Sequence, residues 1–367
     1  MKIIFGTPRL SYYGATKMLV WVATKMYEDG QDVKIVSYFS NEKYHTMDLN
    51  VPHVYLGAKQ SRFRFIRNTF GMFLTINKLH KFLKKEKPDV FVTFLDSVGY
   101  VYLRKARKYN KFKLVCSERV DPFTYKGRKA KTRFKLQNYA HYTVFQTEGA
   151  RSFFKGIGDI YENSSVIPNP VILTQKSQEL QKNVVCFEER EKRIVNVGRL
   201  SLKQKRQDVL IDAFEIFLKN HPDYVLEIYG DGEDREKIQT IINKKGLQES
   251  IKLMGKTDKV YEVIFKAKAF VLSSDFEGIP NALIEAMSIG VPSISTDCSP
   301  GGARLLINDG ENGFLVERES PLALAEKLSS LVDEKEISNK FSIEGIKICD
   351  IFSEENIAKK WKDILAN

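Results

Sequence analysis

Two glutamates eight residues apart, Glu277 and Glu285, lie within the stretch SSDFEGIPNALIEAMSIGVPSISTDCSPGG, residues 273–302. Carboxylates at such a spacing can accept hydrogen bonds from vicinal hydroxyls, as on a ribose or a hexose. Gly278, Ile279, Pro280 and Asn281 follow the first of them. A glycine lets backbone approach a ligand closely, and a proline holds the shape of a turn. The apolar run KAFVLSS before the stretch reads as a buried parallel strand. Asn281 to Ile289 reads as a helix with Asn281 as its cap, and GVPSISTD as the next strand. The amino end of a helix offers unpaired N–H groups and partial positive charge, which suits a diphosphate. A sugar phosphate is the ligand this arrangement favours. An ordinary strand-to-helix turn, with acidic residues placed only to favour the helix, has the same local pattern.

A second cluster has the opposite charge. Arg199, Lys203, Lys205 and Arg206 lie in GRLSLKQKR, between the strand RIVNVG and a helix expected from Asp208 with Leu210, Phe214, Phe217 and Leu218 on one face. Basic groups at that place can neutralise a diphosphate, and an arginine can do so with two parallel hydrogen bonds. Plain surface charge is the alternative. VLEIYGDG and IKLMGK read as strands ending in glycine turns at Gly230 and Gly255, the latter followed by Lys256.

These loops need a scaffold of parallel strands. In the first half KIIFG, DVKIVSY, DVFVTFLDS, KLVCSE and the start of YTVFQTEGARSFF supply them, and Gly14 opens a helix expected to reach Tyr27. Ligands of such sheets sit at the carboxyl ends of the strands. Asp96, Ser97, Glu118, Arg119 and Asp121 are therefore expected on the ligand side. The polar stretch from Leu173 to Lys192 reads as a linker or loop.

The chain has 367 residues, enough for two domains, with 43% hydrophobic and 28% charged residues. Its net charge of +12 is uneven: residues 1–170 hold 30 Lys and Arg against 13 Asp and Glu. Such asymmetry points to an anionic partner for the first half. No nucleic-acid motif accompanies the charge. An anionic membrane surface fits better, because in KQSRFRFIRNTFGMFLTINKLHKFLKKEK (59–87) bases alternate with apolar residues. Four distant cysteines read as reduced thiols. No apolar run approaches a membrane span, and MKIIFGTPRL is too short in apolar residues for a signal peptide. A cytoplasmic protein, peripheral on the inner membrane face, is expected. The five histidines are scattered, so no metal site is expected. The dinucleotide fingerprint G-x-G-x-x-G is missing.

Taken together, EGIPNALIEAM with its E-x7-E spacing, GRLSLKQKR, the hinge-like VIPNPV and the final FSEENIAKKWKDIL resemble glycosyltransferase family 4, retaining enzymes of bacterial surface-polysaccharide synthesis with the GT-B fold. The resemblance implies two Rossmann-like α/β domains whose parallel sheets face a central cleft. It divides the chain into an acceptor-binding domain (1–170), a nucleotide-sugar domain (171–350) and a terminal helix (351–367) crossing back to the first. It gives Glu285 the nucleotide ribose and Glu277 the transferred sugar. Backbone from Gly278 through Ile279 and Pro280 to Asn281 meets sugar hydroxyls and the distal phosphate. Arg199 and Lys205 hold the diphosphate, with Lys203 open as an alternative because this motif is one residue longer than the family's shortest form. Gly198, Gly230, Gly255 and Lys256 line the donor, and Gly14 stands where the family carries a glycine loop. Arg119 occupies the place of a histidine that meets the sugar in many members. The activity implied is transfer of a hexose or N-acetylhexosamine from a UDP-sugar to a glycan or polyprenyl-diphosphate-linked acceptor, without metal or other cofactor. An epimerase of the same fold and a non-catalytic lipid- or glycan-binding partner are the rival readings.

Overall fold

The structure is a computed structural model that describes residues 1–10, 14–39, 49–58, 77–94, 111–127, 134 and 137–366. These fall into two units, Met1–Asn169 with Glu355–Asn367, and Pro170–Glu354.

In the first unit the described strands are β1 (Lys2–Thr7), β2 (Asp32–Phe39), β3 (His53–Ala58), β4 (Val90–Phe94), β5 (Lys113–Ser117), β6 (Tyr142–Phe145) and β7 (Ser164–Val166). They form a parallel sheet in the order β3-β2-β1-β4-β5-β6-β7. Continuous apolar runs are what strands covered on both faces require, and all five residues of β4 are buried. The helix Gly14–Glu28 packs Leu19, Val22, Ala23 and Met26 inward. Of the basic segment 59–87, residues 77–86 are helical, with Leu79 and Leu83 fully buried. Its remainder up to 76, and Asp96 and Ser97, lie outside the described residues.

The last helix, Glu354–Ala366, lays Trp361 against this unit. The indole is 1% exposed and stacks on Phe94 at 5.6 Å. Lys362 bonds Asp29, and Lys113 Nζ donates to the Ile364 carbonyl at the helix's carboxyl end. Trp361→Ala should cost about 3–5 kcal/mol and lower the melting temperature by about 10 °C, read by thermal denaturation. A fall of only a degree or two would mean the helix is not anchored there.

The second unit is a parallel sheet of β8 (Glu191–Val197), β9 (Val225–Tyr229), β10 (Ile251–Gly255), β11 (Ala267–Leu272), β12 (Ser293–Thr296) and β13 (Phe314–Val316), in the order β10-β9-β8-β11-β12-β13. Leu210, Phe214 and Phe217 of the helix Gln207–Leu218 pack with Leu226, Ile228, Val271, Ile294, Leu324 and Leu328. The chain direction of the winding reverses between β8 and β11, which are neighbours. At such a switch point the loops leaving the two strands part to opposite faces and leave a crevice.

The stretch 173–192, expected to be a linker, is ordered. Thr174 accepts a hydrogen bond from the Ser177 N–H and caps the helix Gln175–Lys182. Gln181 donates to the Ser288 carbonyl at 2.9 Å. A cap and a distant acceptor hold this helix; its sequence has too few apolar residues to reveal it. Among the described residues, no helix is long and apolar enough to cross a membrane.

Candidate functional site

The switch point places the loop after β8 (198–206) beside the loop after β11 (273–280). The two are joined rung by rung. Ser273 Oγ donates to the Lys205 carbonyl at 2.8 Å, and the Asp275 N–H to the Gln204 carbonyl at 2.9 Å. Gln204 Nε2 donates to the Phe276 carbonyl at 3.2 Å. Lys205 Nζ then forms an ion pair with Glu277 Oε1, with side chains only 16% and 11% exposed. Ser274 Oγ donates to the same oxygen at 3.0 Å. The basic and acidic clusters, some seventy residues apart in sequence, are thus one structure.

The two candidate lysines of the basic loop differ in their surroundings. Lys203 is exposed, whereas Lys205 lies along Gly198, its Cε 3.3 Å from where a β-carbon at that glycine would stand. A β-carbon at 198 would make the lysine give by a few tenths of an ångström. Arg199 is exposed, and its Nη2 reaches Gln204 Oε1 at 3.4 Å. Gln207, fully buried, holds the loop from below: its Nε2 donates to the Arg199 carbonyl and its Oε1 accepts from the Ser201 N–H.

Glycine spacing follows from close backbone approach. A β-carbon on Gly230, whose φ is +139°, would stand 1.8 Å from the Gly198 carbonyl oxygen. The Gly230 N–H in turn donates to the Gly255 carbonyl at 2.7 Å. The turns after β8, β9 and β10 therefore stack as bare backbone, with exposed Lys256 near Asp231 at 3.8 Å. On the other side a β-carbon on Gly302 would stand 1.8 Å from the Gly278 carbonyl oxygen. Gly278 and Ile279 are thereby pressed against the start of the helix Gly302–Leu306.

Asn281 is not the cap expected of it. Pro280 holds that position with φ −76° and ψ 101°, and Asn281 is the first residue of the helix Asn281–Ser288. The extended ψ of Pro280 ends the turn one residue early, and Pro280 makes no side-chain cap hydrogen bond. Glu285 stands one turn on, half-buried, close enough to Tyr261 to help push its phenol up to about 12, chiefly through burial.

The remaining two site residues belong to the first unit. Gly14 opens its first helix. Arg119, expected to meet a sugar, is turned onto aromatic rings: its guanidinium lies 4.3 Å from the centre of Phe94 and 5.9 Å from that of Trp361. Nη1 donates to Asn169 Oδ1 at 2.8 Å. Burial pushes this group down to about 9, against the pull of Glu118. Glu118 and Asp121 were also expected to face a ligand. Both instead accept backbone N–H groups: Glu118 from Arg119 and Val120, Asp121 from Phe123. These carboxylates satisfy N–H groups of the turn, and Glu118 also accepts from Gln137 Nε2 at 2.8 Å.

Sequence reasoning left Asp275 and Gln204 without a role and counted Arg206 only among the bases that can neutralise a diphosphate. Gln204 and Asp275 carry no motif signal. Arg206 had one: it directly precedes the helix and bears a charge where the chain must turn.

Residues 177–348 match the family model described as glycosyl transferases group 1. A Campylobacter jejuni protein named as the N-acetyl-D-galactosaminyltransferase for GalNAc-α-(1→4)-GalNAc-α-(1→3)-diNAcBac-PP-undecaprenol is 25% identical over 373 residues, covering 100% of this chain and 98% of that protein. The lipopolysaccharide outer core galactosyltransferase WaaB superposes with a TM-score of 0.74 at 22% identity, over 99% of this chain and 100% of WaaB. HepE of Anabaena, solved with UDP-glucose, gives 0.79 at 18% identity, over 100% and 99%. These structural likenesses are those of the GT-B fold.

Proposed function

We propose, from the premise that this chain is a glycosyltransferase whose residues 177–348 belong to the glycosyl transferases group 1 family, that it moves a hexose or N-acetylhexosamine from a UDP-sugar to a glycan or polyprenyl-diphosphate-linked acceptor in bacterial surface-polysaccharide synthesis. The observation that carries this reading is the joined pair of loops at the β8–β11 switch point, where Lys205 meets Glu277 beside bare backbone. HepE with UDP-glucose and the undecaprenol-linked substrate in the Campylobacter name support the donor and acceptor classes.

In this reading Arg199 and Lys205 stabilise the charge that develops on the departing UDP, which is the work a divalent metal does elsewhere. Glu285 holds the ribose. Glu277 and the backbone of Gly278–Asn281 orient the sugar, and Gly230, Gly255 and Lys256 flank the base. The acceptor hydroxyl attacks the anomeric carbon on the face that UDP leaves. Its oxygen forms the new bond as the bond to the diphosphate oxygen breaks, and its proton passes to that oxygen, so the configuration is retained. Glu277 is no nucleophile in this reading; its Oε1 is engaged by Lys205 and Ser274. The first unit receives the acceptor, and its basic charge holds the enzyme at the anionic inner membrane face. Arg119 shapes this unit and does not meet the sugar.

A thermal-shift screen against nucleotide sugars, with and without chelator, tests the donor half. A ligand at a hundred times its Kd stabilises by about 2.7 kcal/mol. A shift with a UDP-sugar that chelator leaves unchanged is the expected result. No shift with any nucleotide sugar at millimolar concentration would sink the reading. Vesicle flotation tests the membrane: recovery should be greater with anionic than with neutral lipid, and equal recovery counts against it.

A further inference from the structure

We infer that Arg206 is a positioning residue, which holds Lys205 and Glu277 in register by tying three loops together; the inference rests on the donor reading above. Arg206 directly follows Lys205 and has φ 48° and ψ 47°, in the left-handed region that a branched or bulky residue seldom adopts. A backbone held there needs surroundings that over-determine it. The side chain supplies them. Nη1 donates to Asp275 Oδ2 at 3.0 Å and to Glu319 Oε1 at 2.8 Å, while Nε and Nη2 each reach Asp208 at 3.1 Å.

Each partner belongs to a different element. Asp208 is in the first turn of the helix that Arg206 precedes. Asp275 is two residues before Glu277, and Glu319 follows β13 in a left-handed turn of its own at φ 59°. Asp275 is held from elsewhere too: its carbonyl accepts from the Ser299 N–H at 3.0 Å and from Arg318 Nη1 at 3.3 Å. The Asp208 hydrogen bonds, with those of Asp275, hold the Arg206 guanidinium above its ordinary value against the opposing effect of burial. It is therefore a permanent cation among three carboxylates. The bridge 206–275 is the rung next to the pair 205–277. Removing it leaves the two loops joined only by the remaining rungs, and loosens Lys205 in its place along Gly198.

The action is indirect, so it should vanish when Lys205 is absent. The probe is UDP, titrated calorimetrically into the full chain as wild type, Arg206→Gln, Arg206→Lys, Asp275→Asn, Lys205→Met and the double variant Lys205→Met with Arg206→Gln. We expect Arg206→Gln and Asp275→Asn each to weaken UDP binding about 10-fold, a coupling typical of groups in one network. Arg206→Lys should recover part of that loss. In the Lys205→Met background Arg206→Gln should weaken binding no further. An equal, additive loss in both backgrounds would overturn the inference, since Arg206 would then touch the ligand itself or merely support the fold. Unchanged binding in Arg206→Gln would overturn it as well. Failure of the wild type to bind UDP would instead remove the donor reading on which it stands.

Discussion

Lys205→Met should lower sugar transfer by about 10²–10³-fold and also destabilise the second unit. The first effect is the loss of a cation aimed at charge that develops on the leaving diphosphate, comparable in size to removing an oxyanion-hole donor. The second follows from the ion pair. Glu277 keeps only the Ser274 hydroxyl when its lysine is gone, in a place where its side chain is 11% exposed. Breaking a buried pair from one side costs about 3–5 kcal/mol, and this pair, still in partial contact with water, belongs at or below the low end. Arg199→Ala separates the two effects. Its side chain is exposed and has one long contact, to Gln204. Transfer should fall about 10–100-fold with the melting temperature unchanged within about 1 °C. Initial rates with the UDP-sugar found by the screen, beside thermal melts, decide it. If both variants kept transfer within threefold of wild type, neither residue would serve the diphosphate.

Gly302→Ala carries the other large effect. Its methyl group would stand 1.8 Å from the Gly278 carbonyl oxygen and 3.2 Å from Ile279 Cα. Both are backbone, so no side chain can turn aside. Either the helix start or the Gly278–Ile279 segment must move, at about 1–3 kcal/mol or more. The segment that moves is the one proposed to meet the sugar and the distal phosphate. UDP-sugar affinity should fall at least about 10-fold. Gly310→Ala is the control: at φ +73° with nothing near its β-carbon, it pays only the left-handed penalty of about 1–2 kcal/mol, and donor binding should survive. Equal donor binding by the two variants would mean that the Gly278–Gly302 contact has no bearing on the site.

Much of this architecture is local information. KIIFG, VLEIYG and KAFVLSS are strands because parallel sheets covered on both faces need unbroken apolar runs, and such runs are visible without partners. Each is found where it is expected, in β1, β9 and β11. Glu277 and Glu285 flank the start of a helix because Gly278 and Pro280 punctuate the chain there. The helix Gln175–Lys182 escaped notice for the converse reason: its stability comes from Thr174 and from a carbonyl more than a hundred residues away.

What the sequence by itself determined are the residue types, their spacing along the chain and the strands and helices that carry them. Short-range sterics, capping and hydrophobic periodicity act between neighbours, so their traces are written in order along the chain. Only the tertiary structure set Lys205 apart from the exposed Lys203, by laying it along Gly198 and against Glu277 across the switch point. It alone turned Arg119 onto Phe94 and Trp361, which its own loop does not contain. It alone gave Gly302 its task, by laying Gly278 against it, and Arg206 its three carboxylates. These contacts join residues brought together by packing, and packing between distant segments leaves no period in the sequence to read.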